Sequence, residues 1–325
     1  MRLALLFAAA SLSLVAQDTL LLVSQKAAST VGFYTWEGQL LDTVQVGRHP
    51  HEMVLSRDGR YAYTTDNGTM AIEVAGEGGN TVSIIDLKER KRIAQVSLGK
   101  YHRPHGIDVN PVTGDLLISS ENPDQLIVVD VSRKRVARTF DTKGRTSHIV
   151  TSDADGEWAY VSNARSSNVA AIHLKTGETI LISAGERPEG SVLSSDGKTL
   201  YVSNRDSNEI TAIDTAKKKM TFRIATCREP ARVGLSSDDE TLMYSCISDQ
   251  QVGFADVASR KQVALVDLEG SPVSLTTSPD GKYAFAGAQD QDTVYVISIA
   301  ERGIARKFKT PPGAGPDPIR PVRRW

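Results

Sequence analysis

The chain has 325 residues, with 38 basic and 39 acidic side chains and a formal net charge of −1. That balance gives no electrostatic case for nucleic acid or an anionic membrane surface, and 6% aromatic content supplies no basic-aromatic stripe. Composition leaves a globular chain, and repeat folds of this length commonly form one domain.

Residues 1–16 stand apart from the rest. Arg2 precedes an Ala/Leu-rich stretch from Leu3 to Val15 that ends at Ala16. One positive charge, a short apolar run and a small final residue predict a secretory signal peptide over 1–16 and a single domain over 17–325. A buried first strand or helix is the other reading. The run is shorter than the roughly 20 apolar residues that cross a bilayer, so no membrane span is expected. Export predicts a periplasmic or secreted protein, and in an oxidising compartment the two cysteines gain meaning. Cys227 precedes one predicted strand and Cys246 ends the next, which puts both on one rim. A disulfide and a pair of free thiols both stay open.

In chain order, Thr19–Val23, Val31–Tyr34 and Leu40–Val46 read as the first strands. Six longer stretches follow, at 49–66, 103–121, 146–163, 187–204, 229–246 and 271–288. The clearest is RPEGSVLSSDGKTLYVSN, residues 187–204. Short β-branched and aromatic runs between Asp-Gly and Asn-rich turns are strands joined as hairpins. The leading prolines Pro188, Pro230 and Pro272 recur every 42 residues, close to the period of a propeller blade. No helical periodicity interrupts them. Six full repeats, plus a first one lacking its innermost strand, predict an all-β, seven-bladed propeller of four-stranded blades. The missing strand is assigned to Asp317–Val322, so that both chain ends close blade one and no sheet edge stays open. A longer loop between Asp66 and Asn80 is either a slack insertion or a flap over the channel.

The YVSN runs at 160–163 and 201–204, with the SPDG and SSDG turns, resemble the exported, lactonase-like YVTN-repeat propeller family. The resemblance implies the fold over nearly all of the mature chain. Function stays open, because propellers host lactonases, lyases, cofactor carriers and interaction modules.

Alternating strands bring the leading residue of each repeat to one rim, beside the central channel. One position further in, the repeats carry His51, His105, His148, Glu189, Ala231, Val273 and Ile319. Three imidazoles and a carboxylate suit a divalent metal such as Zn, Mn or Cu, which would acidify a bound water and polarise a carbonyl. Without metal, His105 or His148 is a candidate general base oriented by Glu189. A wet channel lining is the plainer alternative. Asp66 and Glu121 replace the terminal Asn of the YVSN run; they either orient the imidazoles or serve the turns. Arg48, Arg103, Arg145, Arg187, Arg228 and Arg232, with Arg320, gather at the same junctions. They form a collar suited to an anionic ligand, or a set of locally paired loop charges. The expected function is binding of a small anionic ligand, a metal or a protein partner at the channel rim by a monomer. Metal-assisted hydrolysis or lysis of a lactone or similar cyclic ester is the alternative, and a haem or quinone propeller is a third.

Overall fold

The computed structural model describes residues 19–323. The signal-peptide assignment to 1–16 therefore lies outside the described residues. Seven four-stranded antiparallel sheets are arranged as the blades of a propeller, the strands numbered β1 to β28 in chain order. Among the described residues the helical content is one 3₁₀ turn, Gln289–Gln291, and no helix is long and apolar enough to cross a membrane.

Blade one joins both ends of the chain. The last strand, β28 (Pro316–Arg323), pairs with β1 (Thr19–Gln25) and takes the innermost place. Its register corrects one sequence expectation. Gln25 faces Pro316 as Asp66 faces Pro50 in blade two, so Pro316 is the leading proline of blade one. The residue one position further in is Asp317, not Ile319. Ile319 lies deeper, in the apolar contact with blade seven. Two prolines two residues apart made the repeat frame ambiguous, and strand pairing resolves it.

The strands form because each blade buries both faces. Seven apolar clusters fill the spaces between neighbouring blades: Leu20 and Leu22 face blade two, whereas Leu21 and Val23 face blade seven. Buried side chains on both sides explain why the second strands read as continuous apolar runs. At the lower rim, tight turns link the first and second strands. Gly197 holds φ +68° there, and in blade six Asp239 takes the same left-handed place at φ 60°. The Asp239 carboxylate also accepts from the Ser195 amide at 2.8 Å, so this turn ties blade six to blade five.

Inner strands begin at the upper rim. They are β4 (Pro50–Leu55), β8 (His102–Val109), β12 (Ser147–Ser152), β16 (Pro188–Leu193), β20 (Pro230–Leu235), β24 (Pro272–Thr277) and β28. They approach closely. A Cβ on Gly106 would lie 2.5 Å from the His148 carbonyl, and one on Gly190 would lie 2.8 Å from that of Ala231. Cys227 and Cys246 form a disulfide within blade six, S–S 2.00 Å.

Candidate functional site

Hydroxyls at the ends of the second strands fix the ring of inner residues. Thr65 Oγ1 donates to the His105 carbonyl at 2.7 Å, Ser119 to that of His148, and Ser203 Oγ to that of Ala231 at 3.0 Å. Blades two, three and five thereby set the backbone from which the next blade's ring side chain projects. From blade one to blade seven the ring reads Asp317, His51, His105, His148, Glu189, Ala231 and Val273: three imidazoles flanked on each side by an acid.

The imidazoles touch. The His51 and His105 rings meet edge to face with centroids 4.3 Å apart, and His105 and His148 are tilted at 3.7 Å. All three are buried. His51 Nδ1 lies 3.2 Å from His105 Nε2, His51 Nε2 lies 2.7 Å from the Thr69 carbonyl, and His105 Nδ1 lies 2.6 Å from Glu121 Oε1. Burial, reinforced by Lys26, Arg232 and neighbouring imidazoles, keeps all three histidines well below the usual imidazole pKa and so neutral. The chain of contacts then fixes its protons. A carbonyl only accepts, so His51 donates through Nε2 to Thr69 and accepts at Nδ1 from His105 Nε2–H. His105 Nδ1 then has no proton, and Glu121 must donate to it as a carboxylic acid. Burial pushes Glu121 up to about 7 against the pull of Arg103, in keeping with that assignment. The other Glu121 oxygen accepts from Arg103 Nε at 2.8 Å.

Above this cluster lies the long loop of blade two, residues 67–80, and it is a flap rather than slack. Thr69 supplies the carbonyl on His51. Arg103 Nη1 donates to the Val74 carbonyl at 2.8 Å and Nη2 to that of Ile72 at 3.0 Å. Glu73 pairs with Arg187 of blade five at 2.8 Å, so the loop spans from blade two to blade five over the channel mouth. Gly68 makes this fold-back possible: its φ is +84°, and a Cβ there would lie 2.1 Å from the Gly79 nitrogen.

The expected residues divide clearly. His51, His105 and His148 come together. Glu189 is held instead by arginine, with Arg187 Nε at 2.8 Å, Arg205 Nη1 at 3.4 Å and Arg232 Nη1 at 3.7 Å. Both ring nitrogens of His51 and His105 are spent, so a metal held by all four side chains would require these contacts to be exchanged. His148 Nδ1 alone among the three is buried with no partner among the described residues. Of the two carboxylates at YVSN ends, Glu121 touches an imidazole. Asp66 instead serves its turn, accepting from Gly47 N, Thr81 and Ser83.

Within the collar, Arg103, Arg187, Arg232 and Arg320 reach inward. Arg48 and Arg145 are exposed, and Arg228 is 69% exposed and paired with Asp249. Several axial residues had no repeat signal. Glu52 bonds Arg232 Nη2 at 2.8 Å, Arg205 joins Glu189, and Lys26 lies 3.5 Å from Asp317. Gln289 Nε2 donates to the same Asp317 oxygen at 2.7 Å. Correct framing on Pro316 would have found Asp317. Along the axis, Lys26, Arg103, Arg187, Arg205, Arg232 and Arg320 face the carboxylates of Asp317, Glu52, Glu121 and Glu189, all ten at most 27% exposed.

A seven-bladed ring with a pinned flap over a basic, imidazole-rich mouth defines a propeller with its candidate site on the axis. The chain belongs to the YNCE-like beta-propeller family, which matches residues 69–320. Antigen Lp49 of Leptospira interrogans is 22% identical over 237 residues, covering 69% of this chain. The chain spans about half the length of that curated relative, 51%. The periplasmic gluconolactonase PpgL of Pseudomonas aeruginosa superposes with TM-score 0.74 at 16% identity, covering 94% of this chain and 99% of its own. A protein of unknown function from Desulfotomaculum acetoxidans gives 0.77 at 12%, with 94% and 99% covered. Kuenenia stuttgartiensis hydrazine synthase gives 0.69 at 17%, with 84% and 95% covered. At these identities the likeness extends to the fold alone.

Proposed function

We propose that this is an exported propeller that binds a small anionic ligand at the upper mouth of its channel, beneath the 67–80 flap. The observation that carries the reading is His148 Nδ1. A buried ring nitrogen without a partner costs on the order of 1–3 kcal/mol, and a ligand accepting from it removes that cost. Lys26, Arg103, Arg187 and Arg205 surround the mouth, and protonation of Glu121 leaves Arg103 without a charged partner, which favours an anion. The flap contacts are the ones that opening would exchange for ligand. The disulfide supports export to an oxidising compartment.

The test is a panel of gluconate, citrate and inorganic phosphate, read by calorimetry and thermal shift. At least one member is expected to bind, and His148→Ala and Arg187→Ala should each weaken it at least tenfold. No binding by any member, or binding indifferent to both variants, overturns the reading.

The second reading is metal-assisted opening of a lactone or similar cyclic ester. It is favoured by the neutral state of the three imidazoles, the form that ligates metal. His148 would offer Nδ1 directly, whereas His51 and His105 would first have to release their partners. Elemental analysis of protein purified without a metal-affinity tag, with turnover of a lactone panel, decides it. Metal below one equivalent per chain together with no turnover removes this reading.

A further inference from the structure

Below the histidine cluster the channel is crossed by a layer of ion pairs, and beneath that layer lies a separate cavity of about 300 Å³. Its roof is Glu52, Arg232 and Arg320; its walls include Val192, Val233 and Leu275 from the lower halves of their inner strands. The volume falls at the small end of ligand pockets, and the lining joins one charged end to walls in which these apolar side chains are interspersed with Ser191, Ser274, Thr276 and Thr277.

The roof is unevenly paired. Arg232 spends Nε and Nη2 on Glu52 Oε1, at 3.2 and 2.8 Å. Arg320 receives little of that carboxylate: its Nη2 is 4.0 Å from Glu52 Oε2. Its Nε donates to the Met53 carbonyl at 2.9 Å and its Nη1 to that of Ile319 at 3.4 Å. Nη2 therefore has no hydrogen-bond partner among the described residues. The other carboxylates acting on Arg320 are Asp317, which is engaged by Lys26 and Gln289, and Asp108, whose oxygens accept from the Val109 and Ser152 amides at 2.8 Å each. One guanidinium edge thus faces the cavity with only the long contact to Glu52 opposite it.

We infer that this lower cavity is a second binding site, distinct from the flap-covered mouth, for a short-chain aliphatic monocarboxylate. The carboxylate would sit on Arg320 and the alkyl chain on Val192, Val233 and Leu275. The ion-pair layer separates it from the upper mouth, so the inference does not rest on the function proposed above.

Calorimetric titration with acetate, butyrate and hexanoate at fixed ionic strength tests it. Affinity should rise about fourfold per methylene added, as burial of apolar surface requires. Arg320→Gln should weaken butyrate at least tenfold, and Val192→Phe, which fills the cavity without touching the roof, should abolish binding even if Arg320→Gln fails to fold. His148→Ala should leave butyrate affinity unchanged. No measurable binding, equal affinity for all three acids, competition by equimolar inorganic phosphate, persistence in Val192→Phe, or loss in His148→Ala would each overturn the inference.

Discussion

Arg232 of blade six reaches across the channel to Glu52 of blade two, Nη2 to Oε1 at 2.8 Å, with both side chains largely buried. The contact joins blades that are not neighbours and closes the channel at mid-depth. Removing one member of a buried pair leaves the other under-compensated, here with only Glu189 at 3.7 Å, so Glu52→Gln is expected to cost about 3 kcal/mol. Adding Arg232→Met should recover most of that loss. Urea denaturation of the two variants checks it, and a loss under about 1 kcal/mol in the single variant would show the bridge to be loosely held.

The sequence made the blades and the three histidines legible but not this bridge, for a geometric reason. Inner strands are irregular where they start: register shifts fall between Pro50 and Met53 and between Pro230 and Arg232. Such a bulge breaks strict alternation, so His51 and Glu52, adjacent in sequence, both serve the axis. Repeat counting samples one position per blade and sees His51 alone. The arginine collar divides into inward and outward members for a related reason. Arg48, Arg145 and Arg228 share a junction with Arg103 and Arg187, but which side of the rim a loop side chain takes depends on partners such as Asp249 that no repeat frame reveals.

The flap has one strong anchor and one weak one. Arg103 is largely buried and bonds three of the loop's carbonyls, whereas Glu73, paired with Arg187, is 59% exposed. Arg103→Ala is expected to speed amide exchange over residues 70–79 at least tenfold. Glu73→Ala should change it less than threefold, as an exposed ion pair contributes no more than about 1 kcal/mol. Hydrogen-exchange mass spectrometry reads both, and the reverse ranking would refute the assignment.

Asp108 gives the fold a pH dependence of definite sign. Burial raises its pKa to about 6, against an ordinary 3.8, despite two backbone amides and the field of Arg320. The folded state therefore holds this proton more tightly than the unfolded chain. Stability falls as pH rises from about 4 through about 6 and is level above, a loss of order 2–3 kcal/mol for this group. Asp108→Asn should remove that slope, so the variant gains on the parent between pH 4 and pH 7. Parallel denaturation series at those pH values would show it; two curves that stay parallel would not be compatible with a raised pKa.

The disulfide spans 19 positions, and opening a loop of that length frees unfolded-chain entropy worth about 3 kcal/mol. Cys227→Ser with Cys246→Ser is expected to be destabilised by about that amount, and reductant should lower the melting temperature of the parent but not of the double variant. Equal sensitivity of both proteins to reductant would contradict the bridge's role.

The pairing of Thr19 with Arg323 has a consequence for how the molecule faces its surroundings. Both ends of the described chain leave from adjacent points on the lower rim, where the innermost strand of blade one finishes. A propeller fastened by either terminus, to a bead, a sensor chip or a fusion partner, would show its histidine side and flap to the bulk solution. The fastening would crowd the opposite mouth, next to Arg320. Which end carries the tether is immaterial to which opening stays free.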